Sequence, residues 1–207
     1  MVTFDTLMGP VGALLVGYLL GSIPFGVLLT RSAGAGDLRS IGSGNIGATN
    51  VLRTGRKGLA ALTLLLDALK GTAAILLVRW LFPDEHNLDP LTAFAALLGH
   101  LYPVWLRFKG GKGVATLLGI LAVLSWPVAL AAAVVWLLML AVLRYSSVAG
   151  MTMALTAPVA AALLGRIELV LVFFGFALLI VWKHRANLDR LLAGTEPKVG
   201  AAKAANV

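Results

Sequence analysis

The 207-residue sequence contains no cysteine, which excludes a disulfide, a thiolate nucleophile and a zinc–thiolate centre and leaves the redox compartment unspecified. Histidine is scarce, with three dispersed residues, and there are only nine carboxylate side chains. No metal site and no cofactor is therefore indicated. Charged residues make up 13% of the chain against 59% hydrophobic ones, and the mean hydropathy is +0.93. So little polar surface does not coat a soluble domain of this size. The composition is that of an all-α integral membrane protein. The formal net charge of +8 does not point to nucleic acid, because the basic residues punctuate apolar runs instead of forming a stripe. Membrane lipid and small anions are the expected partners, and no obligate protein partner is evident.

A helix that crosses the hydrocarbon core needs roughly 20 apolar residues. Seven segments qualify, at 9–30, 57–82, 91–106, 113–126, 127–144, 150–165 and 167–183. The first has neither a basic leader nor a small-residue cleavage site, so it reads as a retained span. The fourth is short, and Pro127 marks its junction with the fifth, which leaves a bent hairpin or partly inserted helix as the alternative to a full crossing. With the N-terminus outside, Arg31, Arg39, Arg53, Arg56, Lys57, Arg107, Lys109, Lys112, Arg144, Lys183, Arg185, Arg190, Lys198 and Lys203 fall on the cytoplasmic side, while Asp84, Glu85, Asp89 and Glu168 fall outside with only Arg79 and Arg166 as basic company. That distribution satisfies the positive-inside rule, and seven spans then put the C-terminus in the cytoplasm. No repeat is apparent. The reading is one domain over residues 1–207, with a polar tail from about 197 expected to be mobile.

Against this background, the segment Ile-Gly-Ser-Gly-Asn-Ile-Gly-Ala-Thr-Asn-Val-Leu-Arg at 41–53 stands out. Gly42, Gly44 and Gly47 let backbone N–H groups approach a ligand. Ser43, Asn45, Thr49 and Asn50 add neutral hydrogen-bonding groups, and Arg53 adds a fork of donors suited to phosphate. A second segment, 99–116, centres on Lys109-Gly110-Gly111-Lys112-Gly113 and runs into a helical stretch through Thr116. Backbone N–H groups, a helix N-terminus and two ammonium groups there suit phosphate. It lacks Walker spacing, and alone it reads as a basic turn at lipid headgroups; paired with the 41–53 segment on the same face it reads as a substrate site. A third segment, Lys183-His184-Arg185-Ala186-Asn187-Leu188-Asp189-Arg190, with Glu196 beyond, places His184 and Asn187 on one helix face. His184 and Asp189 have the His-x4-Asp spacing of many glycerolipid acyltransferases, but five residues along a helix separate their faces. Arg144, Ser146 and Ser147 offer a further edge or a plain helix end. Asp67 and Lys70, three residues apart within the second span, read as an ion pair, with Lys70 as a contributor to the polar cavity as the alternative; His100 reads as an interhelical hydrogen-bonder, with a base as the alternative, and His86 as solvated. The glycine-rich and basic connections all fall on one predicted membrane face, where they would form a single site.

Together these segments resemble the acyl-phosphate-dependent glycerol-3-phosphate acyltransferases of the bacterial inner membrane, the PlsY family. The resemblance spans essentially the whole chain. It is carried by the 42–50 run, the 99–116 run, and His184-Arg185-Ala186-Asn187-Leu188 with Glu196, in that order. Leu188 stands where isoleucine is commoner, and Asp189 occupies a position the family pattern leaves open. The resemblance implies a seven-helix enzyme that moves a fatty acyl group from acyl phosphate to the 1-hydroxyl of glycerol 3-phosphate. Phosphate and lysophosphatidic acid would be released, the first acylation of phospholipid synthesis, at the cytoplasmic face.

On this reading Arg53 and Lys112 bind phosphate and stabilise developing negative charge. Backbone N–H groups around Gly44, Gly47, Gly110 and Gly111 assist. Ser43, Asn45 and Asn187 orient substrate, and His184 binds phosphate or positions a neighbour. Thr49, Asn50, Lys109, Thr116, Ser147, Arg185 and Glu196 complete the expected substrate-binding set. No Ser/His/Asp triad is evident, so direct transfer without an acyl-enzyme is expected, with a substrate phosphate oxygen taking the proton and His184 as the alternative acceptor. The rival reading is a permease for phosphate or an organophosphate, which would spread its polar residues across membrane depth.

Overall fold

The computed structural model describes residues 4–85 and 87–200, with side chains described from residue 7. His86 and the tail from residue 201 lie outside the described residues. Ten α-helices and no strand occur among the described residues: α1 (Phe4–Gly21), α2 (Phe25–Ser32), α3 (Ala48–Leu52), α4 (Lys57–Leu81), α5 (Asp89–Leu101), α6 (Val114–Leu124), α7 (Trp126–Leu143), α8 (Ser146–Leu163), α9 (Ile167–Lys183) and α10 (Arg185–Leu192). The segments Leu7–Ser32, Lys57–Leu81, Trp126–Leu143 and Ser146–Leu163 are long and apolar enough to cross a membrane; α9 and α10, bent by 58°, make a fifth if taken as one span. Large apolar side chains such as Leu15, Leu138, Val142 and Leu171 are exposed, as expected where the surrounding solvent is lipid.

Three expected spans are shorter or more broken than their hydropathy suggests. The 9–30 segment is interrupted at Ser22–Pro24 between α1 and α2, because Pro24 supplies no N–H to continue the ladder. The 91–106 segment ends as an α-helix at Leu101, before Pro103, and resumes as a 3-10 turn at Val104–Leu106. The fourth segment stops at Leu124, where extended Ser125 (φ −162°) separates α6 from α7 and Pro127 sits in the first turn of α7.

The chain divides into two compact units, residues 1–129 and 130–207, with the boundary inside α7. In the first, α1 packs along α5, and α4 packs against α1, α5 and α6. Glycine makes these approaches close enough to exclude even a methyl group. A Cβ on Gly21 would strike the Ala96 backbone, one on Gly17 would stand 2.5 Å from the Thr92 carbonyl, and one on Gly119 would strike the Ala68 carbonyl. Gly17 and Gly21 form the small-xxx-small spacing by which helices associate in lipid. Buried threonines are satisfied within their own helices: Thr30 donates to the Gly26 carbonyl, Thr63 to Leu59 and Thr92 to Leu88, each at 2.7–2.8 Å. In the second unit α8 packs against α9, burying Ala149, Ala154 and Ala157 from α8 and Phe173, Ala177 and Ile180 from α9.

Candidate functional site

In the first unit, the 41–53 segment is a turn built on Asn50. This buried side chain donates through Nδ2 to the Leu38 carbonyl at 3.0 Å and to the Ile41 carbonyl at 2.9 Å, while its Oδ1 accepts the Ser43 N–H at 3.3 Å. Both amide hydrogens are engaged by main-chain carbonyls, so Asn50 holds the loop together. Asn45 accepts the Gly47 N–H at 2.8 Å, an Asx turn that feeds α3. Gly42 and Gly44 have φ of +56° and +69°, conformations that favour glycine.

Arg53 lies over this turn. A Cβ on Gly42 would stand 2.7 Å from Arg53 Cδ and Nη1, so the bare glycine makes room for the guanidinium. Of the four arginines between 31 and 56, Arg31 and Arg39 pair with Asp37, at 3.1 and 2.6 Å, and Arg56 donates to the Ala33 carbonyl. Hydrogen bonds from Arg39 hold the Asp37 carboxyl well below its usual range, helped by Arg31. Arg53 is exposed, and no acidic side chain among the described residues pairs with it. Ser43 and Thr49 are also exposed on this segment, with Gly44 and Gly47 half-buried.

The 102–113 segment belongs to the same unit. Arg107 and Phe108 take left-handed φ of +52° and +61°, uncommon for residues with a side chain. They turn the chain back so that Gly111 donates to the His100 carbonyl at 3.0 Å. Lys109 is exposed, whereas Lys112 is half-buried between buried Gly111 and Gly113. Gly113, at φ +83°, is the cap of α6, whose first N–H groups have no intrahelical partner and carry partial positive charge beside Lys112. Thr116 is fully buried where α6 crosses α4, its carbonyl 2.9 Å from a Cβ built on Gly71, and its Oγ1 has no hydrogen-bond partner among the described residues.

The two segments share a core. Leu106 packs into one apolar cluster with Ile46, Val51, Leu38, Val27 and Ala60, fixing the 41–53 turn and the 102–113 turn to common support. No sequence spacing signals that contact, since the residues lie some fifty positions apart.

The second unit gathers another set around Glu196. Its Oε1 accepts from Ser147 Oγ and Asn187 Nδ2, both at 2.6 Å, and its Oε2 accepts from Arg190 Nε at 2.8 Å. Burial by itself would raise the Glu196 pKa, but the three hydrogen bonds and the Arg190 charge outweigh it and leave the carboxyl more acidic than usual. Arg190 is a residue that sequence reasoning missed; the signal was Gly194 (φ +68°), which ends α10 and folds residues 195 and 196 back so that both N–H groups meet the Arg190 carbonyl.

His184 is 2% exposed, at the bend between α9 and α10, and its Nδ1 lies 2.8 Å from the Ile180 carbonyl. A carbonyl oxygen only accepts, so Nδ1 carries a hydrogen in this contact. Asn187 is buried like His184, although His184 caps α10 at the bend instead of sharing a helix face with it, while Asp189 is exposed. Arg185 turns elsewhere, stacked 5.0 Å from the Trp182 ring. Arg144 grips the Val199 carbonyl at 3.0 Å and receives the Val199 N–H at 2.7 Å. Among the described residues no group of three histidines or carboxylates converges as a metal site requires.

These features match known proteins. A family model described as glycerol-3-phosphate acyltransferase fits residues 11–194. A glycerol-3-phosphate acyltransferase of Mesorhizobium japonicum is 60% identical over 93% of this chain and 97% of its own length; one of Rhodopseudomonas palustris is 54% identical over 93% and 97%. Among solved structures, the glycerol 3-phosphate form of PlsY, an integral membrane glycerol 3-phosphate acyltransferase, superposes with a TM-score of 0.85 at 39% identity, covering 92% of this chain and 96% of that one. Its lysophosphatidic acid form gives 0.83 at 37% identity, over 91% and 94%. With its long apolar helices, this likeness makes the protein a multi-pass integral membrane protein. The chain belongs to the glycerol-3-phosphate acyltransferase family.

Proposed function

We propose that this protein transfers a fatty acyl group from acyl phosphate to the 1-hydroxyl of glycerol 3-phosphate, releasing inorganic phosphate and lysophosphatidic acid. The observation that carries the reading is the match along nearly the whole chain, in sequence and fold, to an enzyme solved in forms named for the acceptor and the product. The donor rests on the three sequence segments and on chemistry. Both substrates carry phosphate and one is amphiphilic, and the first unit offers Arg53 and Lys112 on turns that share one apolar support.

In the proposed step the acceptor hydroxyl oxygen attacks the acyl carbonyl carbon, giving a tetrahedral oxyanion. The bond from that carbon to the phosphate oxygen then breaks, and phosphate departs with the electron pair. The hydroxyl proton passes to a phosphate oxygen of a bound substrate, so no acyl-enzyme forms. Arg53 and Lys112 stabilise phosphate and oxyanion charge, assisted by backbone N–H groups near Gly44, Gly47, Gly110 and Gly111. Ser43 orients substrate in the first unit. In the second unit, Glu196, which also accepts from Ser147, holds Asn187; Asn187 and His184 are the residues of that unit that the reading assigns to substrate.

The proposed topology has seven crossings in the inner membrane, with α5 and α6 as short ones, the N-terminus outside and the basic turns on the cytoplasmic face; the protein needs no obligate protein partner. The test is lysophosphatidate formation by purified protein from labelled glycerol 3-phosphate, with acyl phosphate and acyl-CoA as competing donors. Product from acyl phosphate alone supports the reading, and product from acyl-CoA alone overturns the donor assignment. A stable acyl group left on the protein by acyl phosphate alone overturns direct transfer.

A further inference from the structure

Buried polar groups in a membrane protein are costly and mark function or fixed structure. The first unit contains one such set that the proposed chemistry does not use. Asp67 and Lys70, on α4, pair at 2.8 Å with side chains only 4% and 2% exposed. Lys70 Nζ also lies 5.9 Å from the Phe25 ring centroid and donates at 2.8 Å to the Ile23 carbonyl, in the break between α1 and α2, where the same oxygen accepts the Phe25 N–H at 3.2 Å. On the other side, Asp67 Oδ1 is 3.7 Å from Nδ1 of His100, near the end of α5.

The His100 ring leads to the basic turn. A Cβ on Gly111 would collide with His100 Nε2 and stand 2.8 Å from Cε1, so the glycine backbone rests against the ring edge. The Gly111 N–H donates to the carbonyl of the same histidine at 3.0 Å. A Cβ on Gly110 would in turn strike the His100 carbonyl. His100 thus touches the turn through its ring and its main chain, while its ring faces the buried pair.

We propose that Asp67, Lys70 and His100 form a positioning network, braced on the broken first span, that sets the backbone of the Gly110–Gly111 turn and thereby the place of Lys112 for substrate phosphate. These are positioning residues, because they act through the turn. The inference rests on the proposed acyl transfer for its kinetic consequence, but its structural part does not.

Deleting one member of a buried pair strands the other, so the informative variant is the apolar double, Asp67→Leu with Lys70→Met, which removes both charges. Amide hydrogen exchange across residues 109–113 in detergent, and the KM for glycerol 3-phosphate, are compared with wild type. Faster exchange confined to that segment, with KM raised about tenfold or more and a smaller change in kcat, is the expected result. Unchanged exchange overturns the proposal, and so does faster exchange with unchanged KM.

A second measurement holds even if that variant fails to insert. Gly111→Ala introduces a methyl group into the His100 ring, so His100→Ala should relieve part of its effect on KM. Non-additivity in this cycle is expected; simple multiplication of the two single effects overturns the ring contact as the means of positioning. If wild-type protein forms no lysophosphatidate, the acyl-transfer reading fails, while the exchange experiment still decides whether the network sets the turn.

Discussion

The Ser147 hydroxyl donates to the Glu196 carboxylate at 2.6 Å across 49 positions of sequence, fastening the start of α8 to the segment beyond α10. Asn187 and Arg190 meet the same carboxylate, so one acidic side chain holds three partners. Its pKa lies below the ordinary value of 4.5. A carboxylate more acidic in the folded than in the unfolded state stabilises the fold fully above the unfolded pKa, and that stabilisation fades as pH falls through the folded one. Thermal unfolding should therefore show the wild type losing stability below about pH 4.5. Glu196→Gln should start less stable at pH 7 and show a smaller acid loss. Parallel pH curves for the two proteins would remove Glu196 as the source.

Arg53→Ala and Lys112→Ala should each lower kcat/KM by about 10²-fold or more, the scale of losing a charge-stabilising donor, with insertion and purification unchanged. Steady-state assay beside size-exclusion chromatography checks this. Near-wild-type turnover in both variants would sink their assignment.

Asp189→Ala should change turnover by less than about twofold, because the side chain is exposed while His184 and Asn187 are buried. A large loss would revive a His184–Asp189 pair as the general base.

Asn50→Ala should lower stability by about 1–3 kcal/mol, leaving the Leu38 and Ile41 carbonyls without the donors they now have. Because the same change loosens the Ser43 turn, activity should fall with stability. Thermal unfolding in detergent and the acyltransferase assay measure the two effects on one preparation.

Two glycines separate packing from open space. Gly119→Ala drives a methyl into the Ala68 carbonyl on α4, whereas a Cβ on Gly175 meets nothing within 4 Å. The first should cost about 1–3 kcal/mol and the second should be near neutral by thermal unfolding. Equal behaviour would contradict the close approach of α4 and α6.

Composition alone determined that the chain lives in a bilayer, since so few charged groups do not coat a soluble surface, and hydropathy placed α4, α7, α8 and α9 to within a few residues. The three polar segments were legible because small and cationic residues stand out in an apolar chain, and the Asp67–Lys70 pair because spacing along one helix is local. What the tertiary structure decided was non-local. It revealed Leu106 joining Ile46 and Val51 in one cluster, Asn50 engaged by its own loop backbone, Thr116 buried where α6 crosses α4, and Glu196 gathered with Ser147, Asn187 and Arg190. Each depends on which groups distant in sequence meet in space, and the side-chain period of a single helix or turn carries no information about that.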